Sequence, residues 1–448
     1  MVDAAAVRSG RVARALPAGL GRTIKETTTV AVDAVILGLG YVGLPLAQEA
    51  TRAGKKVLGF DINTGVVDAL NAGRSHVDDL SDADIAEMIA GGFEATTDES
   101  RIAEAKVAVI CVPTPLSEEG GPDLRAVESA VDAVARNLRP GMLVILESTT
   151  YPGTTDEVVR PKLEAGGLVA GVDFNLAFSP ERIDPGNEKF GAKNTPKVVG
   201  GHTPACSDAA AAFYGAFVDT VVRARGTREA ETAKLLENTY RHINIALVNE
   251  MARFCHELGI DLWDVIEAAS SKPFGFQAFY PGPGVGGHCI PIDPNYLSHN
   301  VRAKLGYPFR FVELAQEINT QMPAYVVSRA QDLLNTAAKP LKGSSVLLLG
   351  VTYKPNIADQ RESPAVPLAR QLLAKGAVVR YHDPHVSDWR AVPDAQRVED
   401  AASAAAEADL TILVQNHREY DLAALASGAR LFFDTRGKVQ PGERVHRL

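Results

Sequence analysis

A cysteine placed within Tyr280-Pro-Gly282-Pro-Gly284-Val-Gly286-Gly-His288-Cys289-Ile-Pro-Ile-Asp293-Pro has the setting of a nucleophile. Glycine and proline at this density exclude a helix or a regular strand, because they force turns and let backbone come close to a ligand. The thiol has polar neighbours in His288 and, four residues on, Asp293. Cys111, by contrast, lies in the apolar run 107–112 and reads as a small buried hydrophobe, the usual fate of a free cysteine. Lys234 and Asn238 are four residues apart in a stretch free of Pro and Gly, so they share one helix face, with Arg241 a turn further on. Thr114, Thr149 and Glu181 each follow an apolar run of strand type. Singly, each reads as a cap or turn former; their common position is what marks them.

The elements that must hold these groups begin at residue 30. An apolar strand, 30–37, runs into Gly38-Leu-Gly40-Tyr41-Val42-Gly43, then a helical stretch to Gly54, a strand 56–60 and Asp61. Strand, glycine turn, helix, strand and an acid 18 residues after the last glycine form a dinucleotide-binding pattern. The first glycine permits the tight turn, and the second lets backbone reach a pyrophosphate at the helix N-terminus. Asp61 would accept hydrogen bonds from the adenosine ribose. Ile62-Asn63-Thr64-Gly65 offers no cation for a 2′-phosphate, which predicts NAD rather than NADP. In a parallel doubly wound sheet, residues just past the carboxyl ends of strands line the ligand crevice; Thr114, Thr149 and Glu181 belong there.

From Arg228 to Leu258 the spacing predicts one helix, about 45 Å long at 1.5 Å per residue, bridging two domains. Its apolar residues, among them Ile243, Leu247, Met251 and Phe254, cover more than one face, which predicts a homodimer. A second helical stretch spans about 309–337. Beyond it come a strand 345–349, a helix near 363–375, a strand 378–381 and Asp383, with further strands at 410–414 and 431–433 leading to His417 and Asp434-Thr-Arg436. The turn after the first of these strands, Gly350-Val-Thr-Tyr-Lys354, lacks the glycine pattern, so no second NAD is expected. Arg361-Glu362-Ser363 offers a guanidinium and helix-terminal N–H groups suited to a phosphate or uracil. The predicted fold class is α/β, with two Rossmann-like doubly wound domains joined by a long central helix. The segments are an arm at 1–30, an NAD-binding domain at 31–228, a central helical region with the cysteine loop at 229–338, and a second Rossmann-like domain at 339–448.

Composition agrees with several domains in one chain. At 448 residues the chain is too long for a single core, and 46% apolar with 23% charged residues is ordinary for a globular protein. A formal charge of −9 argues against general nucleic-acid binding. The cysteines, at 111, 206, 255 and 289, show neither metal-type nor disulfide spacing, which fits a reducing cytoplasm and no metal. No apolar run reaches the roughly 20 residues of a membrane span. Arg8, Arg11, Arg14, Arg22 and Lys25 are spread among Ala, Gly and Thr, and read as a mobile arm or a translation start placed too early. An amphipathic membrane anchor is the sharper alternative, with a weak apolar face.

Taken in order, the glycine turn 38–43, Val112-Pro-Thr114-Pro, Ser148-Thr149, Ser179-Pro-Glu181, Ala230-Glu-Thr-Ala-Lys234-Leu-Leu-Glu-Asn238, Gly286-Gly-His-Cys289-Ile-Pro-Ile-Asp293, Lys354 with Arg361-Glu-Ser363, and Arg436 resemble the UDP-glucose/GDP-mannose dehydrogenase family. The resemblance runs from residue 30 to about 440. Within the family, the segment 271–284 and the His before the thiol look like the branch acting on UDP-N-acetylhexosamines. The UDP-glucose branch usually carries an arginine near the position of Pro273. The run from Cys289 to Pro294 looks closer to UDP-N-acetylglucosamine enzymes than to those for the mannosamine epimer; UDP-N-acetylmannosamine and UDP-glucose are the alternative substrates. The resemblance implies a four-electron oxidation of C6 to the uronate, with Cys289 as nucleophile, Lys234 and Asn238 on the oxyanion, Asp293 setting the charge of Lys234 or orienting water, and Glu181 with Thr149 handling the hydrolytic water. It gives Gly38, Gly40, Tyr41, Val42, Gly43, Asp61, Thr114, Thr149 and Lys354 to NAD. The UDP-sugar would meet Glu181, Arg182, Lys234, Asn238, Arg241, Lys354, Arg361 and Arg436, under a loop carrying Tyr280, Gly282, Gly284 and Gly286. A one-step hydroxyacid-type dehydrogenase and a non-catalytic nucleotide-sugar binder are the rivals.

Overall fold

The structure, a computed structural model, describes residues 31–77, 80–116, 121–182, 189–287 and 289–448. The arm at 1–30 and His288 lie outside these residues. Eight strands form the first sheet: β1 (Val32–Leu37), β2 (Val57–Phe60), β3 (Glu94–Thr96), β4 (Ala105–Ile110), β5 (Leu143–Leu146), β6 (Asn175–Phe178), β7 (Lys197–Gly201) and β8 (Val221–Arg223). Their order is β3-β2-β1-β4-β5-β6-β7-β8, with β6 and β7 antiparallel and the other pairs parallel. The central strands β1, β2, β4, β5 and β6 are largely apolar because both faces are covered: one cluster, with Ile36, Leu44 and Tyr214, fills one side and another, with Leu37, Val131 and Phe178, fills the other.

Six strands form the second sheet: β9 (Ser345–Leu349), β10 (Val378–His382), β11 (Gln396–Arg397), β12 (Leu410–Leu413), β13 (Phe432–Asp434) and β14 (Val445–Arg447). Their order is β11-β10-β9-β12-β13-β14, all parallel. Both sheets therefore repeat one doubly wound order, 3-2-1-4-5-6, and each reverses direction beside its first strand. At such a switch point the loops diverge and leave a crevice.

The chain leaves the first sheet through a helix of 31 residues, Thr227–Glu257, and enters the second through one of 27 residues, Arg310–Thr336. Val248, Ala252 and Cys255 of the first helix and Met322, Val326 and Ala330 of the second share one core with Val346 and Leu348 of β9. The connection is thus the expected long central helix, packed along the second helix that the sequence also predicts. Two further helices lie between them, Leu262–Ser270 and Asp293–Leu305. The second has Pro294 in its first turn, where the missing N–H costs nothing, so proline starts this helix rather than breaking it. Also beyond the sequence reading are β3, β7, β8 and the helix Pro204–Tyr214, which widen the first sheet past six strands.

Candidate active site

The crevice of the first sheet opens into a cleft of about 940 Å³ lined by the first sheet, by loops that follow strands of the second sheet and by the helix Thr227–Glu257. The glycine turn forms one end. Gly38 has a φ of +91°, and a Cβ there would stand 2.8 Å from the carbonyl oxygen of Cys111. Gly40 faces open space, with nothing within 4 Å of a Cβ, so bare backbone fronts the cleft. Gly43 does not line the cleft: a Cβ there would lie 2.0 Å from the Gly38 carbonyl oxygen, so the third glycine lets helix and turn close on each other. Asp61 accepts the Leu39 N–H at 3.0 Å through one oxygen and the Asn63 N–H at 2.9 Å through the other. Each carboxylate oxygen keeps a lone pair for a ribose hydroxyl. Tyr41, Val42 and Thr114 complete this end. An open backbone cradle beside a fixed acid, with no cation at Ile62 to Gly65, fits NAD.

The thiol lies at the other end. The Asp293 and Ile292 N–H groups both donate to the Cys289 carbonyl oxygen, at 2.8 and 3.2 Å, which closes the turn between thiol and acid. Cys289 is exposed to the cleft, whereas Cys111, Cys206 and Cys255 are buried. The cleft walls still crowd it: burial and the neighbouring Asp293 push the thiol up, against the pull of Lys234, Arg241 and Arg361. Asp293 is buried, and burial raises it to about 6 despite Lys234 and a 2.6 Å hydrogen bond from the Asn238 amide. One amide proton of Asn238 is therefore committed to Asp293. The Lys234 ammonium donates to the backbone carbonyl of Glu181 at 2.5 Å, tying the long helix to the segment after β6. Thr149 and Glu181 follow β5 and β6 by three residues each and line the cleft with Arg182, which pairs with Glu237 at 2.8 Å.

The loop from Tyr280 to Gly287 closes the cleft against the second sheet. Its Gly282 N–H donates to Asn249, and Asn249 donates to Asn319, so both long helices hold it through two buried amides that sequence reading passed over. Gly286 is pressed between the Glu362 carbonyl and Tyr353, where a Cβ would come within 2.6 and 2.7 Å. From the second sheet, Arg436 donates to the Val414 carbonyl at 2.7 Å, and burial pulls it down to about 10 against Asp434. Lys354 and Arg361 stand nearby. Arg361 already has partners: Asp359 binds it at Nε and Nη2, and its guanidinium carbon lies over the Tyr41 ring at 5.3 Å. That contact joins the glycine turn to the second sheet. The helix-terminal N–H groups are not all open either, since Ser363 takes the Ala365 N–H.

The corresponding place in the second sheet is filled. Asp383 occupies the position of Asp61 and accepts the Val351 N–H at 2.7 Å and the His385 N–H at 2.8 Å, but the oxygen that takes Val351 also meets the buried His417, 3.1 Å away. His385 and Glu419 gather near His417, yet that imidazole already accepts the Asn356 N–H at its other nitrogen. The group therefore reads as a hydrogen-bonded plug rather than a set of metal ligands.

Comparison with known proteins matches three models of the UDP-glucose/GDP-mannose dehydrogenase family: the NAD binding domain at residues 32–218, the central domain at 228–321 and the UDP binding domain at 347–441. A UDP-N-acetyl-D-glucosamine 6-dehydrogenase of Pseudomonas aeruginosa is 38% identical over 355 residues, 79% of this chain and 82% of that protein. An NDP-N-acetyl-D-galactosaminuronic acid dehydrogenase of Ralstonia nicotianae is 34% identical over 415 residues, 90% of this chain and 95% of that one. The structure of a UDP-D-ManNAc dehydrogenase from Pyrococcus horikoshii superposes with a TM-score of 0.84 at 31% identity, covering 92% of this chain and 98% of that one. No helix among the described residues is long and apolar enough to cross a membrane. With the glycine turn, the thiol loop and the paired sheets in place, the chain belongs to the UDP-glucose/GDP-mannose dehydrogenase family and is an NAD-dependent nucleotide-sugar dehydrogenase.

Proposed function

We propose that the protein oxidises the C6 hydroxymethyl of a UDP-N-acetylhexosamine, UDP-N-acetylglucosamine foremost, to the carboxylate in two NAD-dependent steps. The observation that carries this reading is an exposed thiol in the same cleft as the glycine turn. A one-step dehydrogenase has no use for it, and a mere binder need keep neither the thiol nor the Lys234–Asn238 face.

NAD, when bound, supplies the acceptor for one hydride in each oxidation. The residues do the rest. Removal of a hydride from C6 and a proton from its hydroxyl leaves an aldehyde, beside which Cys289 stands. The thiolate adds to the aldehyde carbon, and Lys234 with the second amide proton of Asn238 supports the oxyanion that forms. Loss of the second hydride converts this adduct to a thioester. Glu181, with Thr149, would orient water and take its proton as water adds, and the C–S bond then breaks to give uronate and free thiol. A thiol suits both ends of the sequence, being a good nucleophile and a good leaving group. Arg436, Lys354, Arg361 and the loop from Tyr280 to Gly287 would hold the UDP portion.

The hexosamine is supported by the segment 271–284 and by the absence of arginine at Pro273. The sparse cysteines support a cytoplasmic site of action. Purified protein should be offered UDP-N-acetyl-glucosamine, -mannosamine and -galactosamine, and UDP-glucose, while NADH formed per sugar is counted. Two per UDP-N-acetylglucosamine, at the highest kcat/KM of the panel, is expected. One NADH would indicate the hydroxyacid-type reaction, none a binder, and a higher kcat/KM for another sugar a different substrate.

A further inference from the structure

Beneath Glu181 lies a charged cluster that the scheme above leaves unused. Glu147 directly follows β5, Lys197 opens β7, and Tyr214 closes the helix Pro204–Tyr214. All three side chains are buried. The Lys197 ammonium donates to one Glu147 oxygen, and the Tyr214 hydroxyl donates to the other at 2.6 Å. The same ammonium stands 3.5 Å from Glu181 Oε2. Two carboxylates thus share one cation below the floor of the cleft, which Glu147 and Glu181 both line.

Stability does not account for this arrangement. Desolvating an ammonium and a carboxylate beside the largely apolar strands β5, β6 and β7 offsets most of their attraction, and apolar residues of similar volume would serve as well. Burial pulls Lys197 down, but Glu147 and Glu181 more than reverse that and keep it protonated. Four other described groups near Glu181 act differently from the ammonium. Cys111 and Tyr214 are held neutral, since burial, and after it Glu147, pushes both well up. Lys234 meets Glu181 at its backbone carbonyl, and Arg182 is turned to Glu237. Glu181 is the neighbour beyond Glu147 that gains from the charge of Lys197.

We propose that Lys197 is a positioning residue for the hydrolytic half-reaction: its ammonium holds the Glu181 carboxylate in place and ionised, and Glu147, anchored by Tyr214, limits how much of that charge Glu181 receives. The inference rests on the reading of Glu181 as the base. It has a signature that a structural role lacks, because the two partners of Lys197 compete. Removing the ammonium makes Glu181 bind its proton more tightly. Removing Glu147 leaves the ammonium to Glu181 alone, so Glu181 gives up its proton more readily.

The test is the pH profile of turnover, with the thioester on Cys289 counted by mass spectrometry after acid quench. Lys197→Met is expected to move the acidic limb of kcat upward by about one pH unit or more, the usual effect of losing an opposite charge at this range, and to accumulate the covalent adduct. Glu147→Gln is expected to move the limb downward, and Lys197→Arg to restore it towards the unmodified position. Limbs that move together, or that stay still while overall rate falls, overturn the proposal. Where either variant fails to fold, Tyr214→Phe replaces it: with the support of Glu147 weakened the limb should move down, and an unmoved limb counts against the proposal. Glu181→Gln separates the two levels. If it neither slows release of the adduct nor abolishes the limb, the base itself is misassigned; if it does both and the Lys197 and Glu147 variants shift nothing, the base stands and only this inference falls.

Discussion

The thiol of Cys289 is held in two opposed fields, with burial and Asp293 favouring its neutral form and Lys234, Arg241 and Arg361 favouring the thiolate. Iodoacetamide should therefore modify Cys289 in the unliganded protein slowly at neutral pH and faster as pH rises. Asp293→Asn should speed it at fixed pH; a slower reaction would show that Asp293 acts on the thiol by some route other than its charge. Replacing Cys289 by Ala should abolish uronate formation, a loss of several orders of magnitude, while binding of UDP-sugar, read by calorimetry, survives. Cys111→Ala should keep two NADH per sugar. Asp293 also carries a stability signature. Its folded value is raised to about 6, so the folded protein holds this proton more tightly than the unfolded chain does. The stability it contributes is complete below about pH 4 and is lost as pH rises through about 6, a difference on the order of 3 kcal/mol. Asp293→Asn should accordingly raise Tm at pH 8 and change it little at pH 4, while lowering turnover. At the other end of the cleft, NAD should exceed NADP at least tenfold in kcat/KM, about 1.4 kcal/mol, and Asp61→Ala should narrow that gap.

The glycine turn separates packing from binding within six residues. A Cβ at Gly40 meets nothing, so Gly40→Ala should fold with a Tm near that of the unmodified protein and bind NAD more weakly. A Cβ at Gly43 meets the Gly38 carbonyl at 2.0 Å, so Gly43→Ala must displace backbone and should cost about 2–4 kcal/mol of stability. Thermal melts with and without NAD distinguish these outcomes. Such elements were legible in the sequence because they need residues of unusual conformational freedom at fixed spacing: the turn at 38–43, the thiol loop at 280–289 and the acid after the second strand. Thr114, Thr149 and Glu181 were legible for a related reason, since apolar runs end there. Lys197 and Tyr214 were not. Lys197 stands at the start of a short strand, where a lysine ordinarily reads as solvated, and Tyr214 lies in a weakly amphipathic helix rich in alanine. Their partners lie 50 and 67 residues away in Glu147, a separation that only the sheet order closes. Asn249 and Asn319 escaped notice likewise, because a polar residue inside a long helix shows its partner only when the second helix is laid against it.

Across the molecule, the repeat of one sheet order places two similar crevices face to face, and His417 fills the second, so the cleft has a single dinucleotide end. The helix pair that fixes this arrangement leaves one face uncovered. Leu236, Tyr240, Leu247 and Phe254 of the helix Thr227–Glu257, and Leu258 at its C-cap, are exposed, and their separations of four and seven residues keep them on one stripe. Phe311 and Leu314 of the adjoining helix are also exposed. Ile243 and Met251, expected to share in a dimer surface, instead pack against internal clusters, so the stripe is narrower than the sequence implied. An apolar stripe along a 31-residue helix is more surface than a monomer normally leaves to water, and two copies meeting about a twofold axis would cover it in both at once. Light scattering at micromolar concentration should give a homodimer. The double substitution Leu247→Glu and Phe254→Glu should give a monomer, because each copy would bring two carboxylates into an apolar seam and the axis would double them. A monomer before any substitution removes the dimer; a dimer that survives both charges places the interface on another face.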